Sequence, residues 1–327
     1  MIVIVALLLV ILIGACIRLY APDKPRAALE AKYARPPSTF LEVAGIRLHL
    51  RDTGPRDAPV LVMLHGFGSS LETWDVWADQ LSADHRVIRF DLPGFGLTGA
   101  DPTGTYTDAR TLSVLLALLD RLGVQRAALI GNSMGGRIAA AFAAAHPDRV
   151  SKLVLVSPDG FASPGIEYDK KHDVPLMVRA LPYSLPMFML RPTLEAAYGD
   201  PSKMTEASLL RTRDMMLAPG VRRAVIARMQ QTVLRDPRPL LARITAPTLL
   251  LWGDKDALVP IGNAQDYLAA MPNARLVTLP GVGHLPQEEA SAESLAPLRA
   301  FLDIPRLIEK AVQGGCGGSQ SGFQFRS

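Results

Sequence analysis

The sequence predicts an α/β protein built on a mostly parallel sheet, and two observations support this prediction. Short apolar runs of strand length alternate with amphipathic or alanine-rich segments of helix length from about residue 40, and the alternation resumes after residue 245. Such alternation implies crossover connections, which place helices on both faces of a parallel sheet. Apolar residues make up 49% of the 327-residue chain, which is enough to bury a sheet of this kind.

The first two predicted strands, Phe40–Val43 and Ile46–Arg51, flank Ala44-Gly45 and form a hairpin. The remaining strands, all short and apolar, are predicted at Val60–Leu64, Val87–Phe90, Ala127–Ile130, Leu153–Val156, Thr248–Trp252 and Arg275–Leu279. The helices of this region are predicted at Trp74–Leu81, Thr107–Leu122, Gly135–Ala145, Gly262–Met271 and Ser291–Leu302. The core therefore comprises residues 40–157 and 241–304.

Residues 158–240 interrupt this alternation. They contain no convincing strand, they are broken by prolines, and they hold seven of the eleven methionines, which predicts a helical cap over the sheet. The apolar side chains of the cap either line a deformable substrate pocket or pack the cap onto the sheet; they are Met177, Leu181, Leu185, Met187, Phe188, Met189, Leu190, Met204, Met215, Met216 and Met229. Arg222 and Arg223 are interpreted as solvated surface.

Composition excludes several other classes of protein. The formal net charge of +4 is spread over 35 basic and 31 acidic residues without a dense basic block, so we expect no nucleic-acid partner. The two cysteines, Cys16 and Cys316, exclude a disulfide-rich scaffold and a cysteine zinc cluster.

The N-terminal segment is unlike the rest of the chain. Residues 2–17 have no charged or strongly polar side chain, and as a helix they would span about 24 Å. Because the nearby Lys and Arg residues all follow this segment, residues 1–20 are predicted to be a membrane anchor with a cytoplasmic catalytic domain. The alternatives are a lipoprotein signal ending at Cys16 or an export signal. Residues 21–39 are predicted to be a linker and residues 305–327 a flexible tail.

The strongest catalytic motif is Gly131-Asn132-Ser133-Met134-Gly135, which lies between a predicted strand and a predicted helix. In this context a sharp turn exposes the Ser133 hydroxyl, and the two flanking glycines must be small to avoid collision. Free N–H groups at the start of the helix then face an oxygen bound at Ser133. The motif predicts that Ser133 is a nucleophile.

A serine nucleophile needs a base and an acid. Among the histidines, His284 follows the last strand at the sheet edge where sites form, whereas His49, His85, His146 and His172 are interpreted as surface or satisfied histidines.

Two carboxylates, Asp254 and Asp256, follow the predicted strand Thr248–Trp252. Asp256 is preferred as the acid because it lies deeper in the turn. Asp254 is expected to brace that turn, and Asp159 remains an alternative acid after a neighbouring strand. The oxyanion hole is predicted to use the backbone N–H groups of Phe67, in the loop after an early strand, and Met134.

Together these motifs resemble those of the α/β-hydrolase superfamily over about residues 40–303. The motifs, in family order, are His65-Gly66-Phe67-Gly68, Asp91-x-Pro93-Gly94-x-Gly96, Gly131-Asn132-Ser133-Met134-Gly135-Gly136, Gly253-Asp254-Lys255-Asp256 and Gly283-His284. The resemblance implies an eight-stranded sheet with a cap after strand six, and a triad of Ser133, Asp256 and His284 that needs no metal or organic cofactor.

The expected activity is hydrolysis of apolar acyl esters or monoacylglycerols through an acyl-enzyme on Ser133. One alternative is a carbon–carbon hydrolase of ring-fission products, which also carries the Ser133 motif but usually has a longer glycine loop than His65-Gly66-Phe67-Gly68-Ser69-Ser70. A polar cap pocket with an arginine facing Ser133 would favour that alternative. Another alternative is a binding protein that retains the fold with little turnover.

Overall fold

The computed structural model describes residues 17–162, 167–171 and 173–303, together with Ile4 and Gly14. Most of the apolar segment 2–17, including Cys16, lies outside the described residues, as do His172 and the predicted tail at 305–327. The sheet, the helices and their contacts belong to these described residues.

Eight strands form one sheet in the order β1-β2-β4-β3-β5-β6-β7-β8. Their bounds are β1 Ser38–Val43, β2 Ile46–Thr53, β3 Val60–Leu64, β4 Arg86–Phe90, β5 Ala127–Asn132, β6 Val150–Val156, β7 Thr248–Gly253 and β8 Ala274–Leu279. Strand β2 pairs antiparallel with β1 and with β4, and the other pairs are parallel. The predicted eight-stranded, mostly parallel sheet is confirmed, because each predicted strand forms and the crossovers between parallel strands are helical.

The helices cover both faces of this sheet. Their bounds are α1 Arg26–Tyr33, α2 Asp75–Leu81, α3 Asp108–Arg121, α4 Met134–Ala145, α5 Leu176–Arg179, α6 Met187–Glu195, α7 Glu206–Met216, α8 Val221–Gln231, α9 Arg238–Leu241, α10 Asn263–Ala270, α11 Pro286–Glu289 and α12 Ser291–Leu302. One core contains Leu118 of α3 and Phe142 of α4, and the other contains Trp77 of α2 and Leu298 of α12. The fully buried strand β5 is apolar except for Asn132 at its end, because both faces are covered.

Helices α5–α9 lie between β6 and β7, where the sequence predicts the cap. The methionines of this insertion do not share one role. Met215 is buried in the core, whereas Met177 is 69% exposed, and Met229 lines a cavity described below. The prediction for Arg222 is wrong: its side chain is 2% exposed and pairs with Asp23 at 2.6 Å.

The predicted linker at 21–39 is also wrong in part, because it contains helix α1 and is bonded to the cap. The Ala21 amide donates to the Tyr183 carbonyl at 2.8 Å, and the Lys24 amide donates to the Leu217 carbonyl at 2.7 Å. Asp214 of α7 accepts hydrogen bonds from the side chains of Lys24, Lys32 and Tyr33 at 2.5, 2.9 and 2.8 Å. This N-terminal segment therefore packs as part of the folded structure.

The predicted membrane-anchored localisation is wrong. Among the helices of the described residues, none is both long enough and apolar enough to cross a bilayer. The prediction depended on the apolar segment 2–17, and its lipoprotein alternative depended on Cys16.

Candidate active site

Ser133 lies at the sharp turn from β5 into α4, with a φ of 52° and a ψ of −121°. A non-glycine residue adopts a positive φ only when its surroundings enforce it. The flanking glycines allow the turn to close: a Cβ on Gly131 would lie 2.3 Å from the Gly135 carbonyl oxygen, and one on Gly135 would lie 2.2 Å from the Leu64 carbonyl oxygen. The strained position expected for the motif is therefore present.

His284 and Asp256 form a buried pair at the carboxyl end of the sheet. The Nδ1 atom of His284 lies 2.8 Å from Oδ2 of Asp256, and the two residues are 5% and 7% exposed. The other carboxylate oxygen of Asp256 accepts from the backbone amides of Leu258 and Val259 at 2.9 and 2.8 Å. These donors fix the carboxylate in the position that would hold a proton on His284 Nδ1 and leave Nε2 as the basic nitrogen.

The alternative acids have other partners. Asp254 accepts the backbone amide of Gly281 at 2.7 Å, so it braces the turn as expected. Asp159 pairs with the Arg137 side chain at 2.7 Å rather than with His284. Of the three carboxylates considered, the structure brings Asp256 to the histidine.

Sequence reasoning assigned no role to Asn132, which precedes Ser133. Its side-chain amide donates to the backbone carbonyls of His284 at 3.0 Å and Val156 at 3.2 Å, and the residue is 1% exposed. An amide side chain at the end of an otherwise apolar buried strand is the signal that could have identified it, because a buried polar group requires partners.

The predicted oxyanion donors lie beside the nucleophile. Met134 is the first residue of α4, where backbone N–H groups have no partner within the helix. The loop that holds Phe67 is close to Ser133, since a Cβ added to Gly66 would lie 3.3 Å from the Ser133 Cβ. His65 is fixed by the Leu92 amide, which donates to its Nε2 at 3.0 Å. Burial lowers the pKa of His65, so this histidine is a neutral element of the loop.

A cavity of about 360 Å³ opens next to these residues. Most of its lining is apolar and is contributed by Phe67, Met134, Phe161, Met229, Leu234, Leu258 and Val259. Arg228 also lines it, although its side chain is only 2% exposed. One terminal nitrogen of Arg228 donates to the Pro93 carbonyl at 2.9 Å, while its Nε and Nη1 atoms have no hydrogen-bond partner among the described residues.

The sequence profile of the α/β hydrolase fold matches residues 59–291. The chain belongs to this family. It is 34% identical over 272 residues to a 2-hydroxy-6-oxononadienedioate/2-hydroxy-6-oxononatrienedioate hydrolase of Paraburkholderia phymatum. That alignment covers 79% of this chain and 91% of the relative. A 2-hydroxy-6-oxo-6-phenylhexa-2,4-dienoate hydrolase of Burkholderia cepacia is 31% identical over 258 residues, covering 76% and 88%.

A solved structure of a membrane phospholipase A, a bacterial virulence factor, is also similar. It is 25% identical with a TM-score of 0.71, and the alignment covers 92% of this chain and 97% of that one. The family establishes the hydrolase fold.

Proposed function

We propose that the protein is a serine hydrolase that cleaves a carbon–carbon bond beside the ketone of an acidic ring-fission product. The observation that carries the proposal is Arg228, a buried cation with two unpartnered nitrogens in the wall of the cavity beside Phe67 and Met134. Burying an unpaired charge is unfavourable, and a substrate carboxylate would supply the missing acceptor. The relatives at 31–34% identity are named for substrates that are carboxylates with a 6-oxo group.

The proposed reaction begins when the Ser133 Oγ attacks the ketone carbon and His284 takes its proton. Asp256 holds the imidazolium that forms, and the backbone N–H groups of Phe67 and Met134 bind the oxyanion. The 2-hydroxydienoate reacts as its 2-keto tautomer, in which the hydroxyl proton has moved to carbon 5. As the attacked carbonyl re-forms, the bond between carbons 5 and 6 breaks, its electron pair is delocalised through the enone onto the 2-keto oxygen, and His284 returns the proton to that fragment. Water activated by His284 then hydrolyses the acyl-enzyme.

Ester hydrolysis is the second candidate, and two observations favour it. The cavity is lined mostly by apolar side chains, which suits an acyl chain. The glycine loop His65-Gly66-Phe67-Gly68-Ser69-Ser70 is shorter than the glycine loop that is usual for carbon–carbon hydrolases. The same Ser133, His284 and Asp256 steps would release an alcohol instead of a carbon fragment.

A direct comparison of substrates tests the proposal. The purified protein and its Ser133→Ala variant are offered 2-hydroxy-6-oxo-6-phenylhexa-2,4-dienoate, p-nitrophenyl esters of several chain lengths and a monoacylglycerol. We expect Ser133-dependent loss of the dienoate with a kcat/KM at least about tenfold above that for any ester. Cleavage of the esters alone would overturn the proposal in favour of the second candidate. No Ser133-dependent turnover of any substrate would overturn both.

A further inference from the structure

A second serine, histidine and aspartate lie together at the antiparallel edge of the sheet, away from Ser133. The register of β1 and β2 pairs Ser38 with Arg51 and Phe40 with His49. Because side chains alternate along a strand, Ser38, His49 and Arg51 share one face of the hairpin. Asp91 follows β4, the neighbour of β2, and its amide donates to the His49 carbonyl at 3.0 Å.

The three side chains are hydrogen-bonded in the order serine, histidine, aspartate, which is the order that nucleophilic catalysis uses. The Nδ1 atom of His49 lies 2.8 Å from Oδ2 of Asp91, and its Nε2 atom lies 2.9 Å from the Ser38 Oγ. His49 and Asp91 are both fully buried, whereas Ser38 is half-buried. With a proton on Nδ1 held by the aspartate, Nε2 is the acceptor for the proton of the Ser38 hydroxyl.

Asp91 is held in the same manner as Asp256. It accepts the backbone amides of Leu71 at 2.8 Å and Leu97 at 2.7 Å, in addition to its contact with His49. Burial by itself would raise the pKa of Asp91, but the neighbouring His49, together with the backbone donors, outweighs burial and leaves the pKa lowered. The carboxylate is therefore ionised and can balance a positive charge on His49.

A guanidinium group completes the arrangement. The Nε atom of Arg51 donates to the Ser38 Oγ at 2.9 Å, and an adjacent cation favours the deprotonated form of a hydroxyl. Arg51 also lines an open hollow of about 470 Å³, together with Pro37, which precedes Ser38, and Arg89. The hollow is adjacent to Ser38, which is itself half-buried, so a small molecule can approach the hydroxyl group from solvent.

We propose that Ser38 is a second activated serine, which is modified covalently by small electrophilic esters independently of Ser133. In the step, the Ser38 Oγ forms a bond to the acyl or phosphonyl centre and its proton passes to His49 Nε2. The bond from that centre to its leaving group breaks, and the leaving group departs with the electron pair. Compact reagents are the expected modifiers, because Ser38 is half-buried and Arg51 lies against its hydroxyl group.

The test uses the full chain carrying Ser133→Ala, so that the first site is silent. This variant is treated with a small alkyl fluorophosphonate, from which fluoride is the leaving group, and the modified peptides are identified and timed by mass spectrometry. Ser113 on α3 is the internal control, because it is exposed and, within the described part of the chain, is hydrogen-bonded only to the Ala109 carbonyl of its own helix. We expect Ser38 to react at least about 100-fold faster than Ser113, as general-base assistance allows.

A further substitution separates activation from simple exposure. In the Ser133→Ala background, His49→Gln should reduce the rate at Ser38 to that of Ser113 while leaving Ser113 unchanged. The proposal would be overturned if Ser38 were labelled no faster than Ser113. It would also be overturned if His49→Gln left the labelling rate of Ser38 unchanged. If His49→Gln does not fold, Arg51→Lys replaces it and should slow Ser38 about tenfold, with the comparison to Ser113 deciding the outcome.

Discussion

The side-chain amide of Asn132 donates a 3.0 Å hydrogen bond to the backbone carbonyl of His284. Asn132 ends strand β5 immediately before Ser133, and His284 lies in the loop after β8. The loop is held from a second side by the His284 amide, which donates to the Ala197 carbonyl of the cap at 2.7 Å. The candidate base is therefore positioned both by the strand that carries the candidate nucleophile and by the cap.

Asn132→Ala is expected to lower kcat by about 100-fold with little change in KM, because a loop shift of about 1 Å misplaces the base. The loss of a buried donor should also reduce the free energy of unfolding by about 1–3 kcal/mol. Steady-state kinetics and urea unfolding measure the two effects. Asn273→Ala is the matched control, since that amide makes one surface contact of 3.4 Å to the Thr245 carbonyl. An unchanged kcat in Asn132→Ala would show that His284 needs no such support.

Asp256→Asn is expected to lower kcat by about 10⁴-fold, because the amide favours the wrong tautomer of His284. Asp254→Asn is the matched control two residues away, and it should stay within about tenfold of the wild-type rate since Asp254 contacts the Gly281 amide and not His284. Both are measured with the substrate that the wild-type protein turns over. Equal losses in the two variants would contradict the assignment of Asp256 as the acid.

Gly135→Ala is expected to destabilise the fold by about 3 kcal/mol or more, because the new methyl group would lie 2.2 Å from the Leu64 carbonyl oxygen. Gly262→Ala adds the same atom where nothing lies within 4 Å and φ is −54°, so stability should be unchanged or slightly higher. Chemical unfolding followed by circular dichroism provides the comparison. A Gly135→Ala variant as stable as the wild type would contradict the close packing of α4 on β3.

Arg228→Met is expected to raise KM for an acidic dienoate at least about tenfold and to leave KM for neutral esters within about twofold, because only the former loses an ionic partner. Burial lowers the pKa of Arg228 to about 10. Binding of the carboxylate requires the protonated form, so the wild-type KM for the dienoate should be constant below that pKa and should rise as pH passes through it. Initial rates with both substrates from pH 7 to 10.5 test this, and parallel changes for the two would count against a carboxylate contact.

Asp214→Asn is expected to loosen the attachment of the N-terminal segment and to remove a pH dependence of stability. Burial acts to raise the pKa of Asp214, but hydrogen bonds from Lys24, Lys32 and Tyr33 outweigh it and leave the pKa below its ordinary value of 3.8. The contribution of the folded-state carboxylate is thus fully present above about pH 4 and is lost as pH falls through the lowered pKa.

Urea unfolding at several pH values between 7 and 2.5 measures the difference in stability between the wild type and Asp214→Asn. That difference should be largest at neutral pH and should shrink toward the acid end. Asp236→Asn is the control for an exposed ion pair, because among the described residues Asp236 bonds to Arg238 alone, on an exposed turn where solvent weakens the effect of its lowered pKa. A difference that is independent of pH would show that Asp214 does not act through its charge.

The fold could be predicted from the sequence because its signals are local. Apolar runs, helix periodicity and the strand–turn–helix context of Ser133 each depend on residues close together in the chain. The preference for Asp256 over Asp254 also depended on a local signal, the depth of the two residues in one short turn, and it stays a prediction that the contact of Asp256 with His284 supports.

Tertiary structure decided what depends on distant partners. Asn132 contacts a residue 152 positions away, and Arg222 is buried because Asp23, 199 positions away, pairs with it. A sequence pattern cannot distinguish a solvated arginine from a buried one when its partner lies in a segment expected to be a linker. The sequence alone determined the sheet, and it predicted the cap between β6 and β7 and proposed Ser133, His284 and Asp256 as the site. The fold alone decided which buried charges find partners, because burial and pairing result from packing between segments that are remote in the chain.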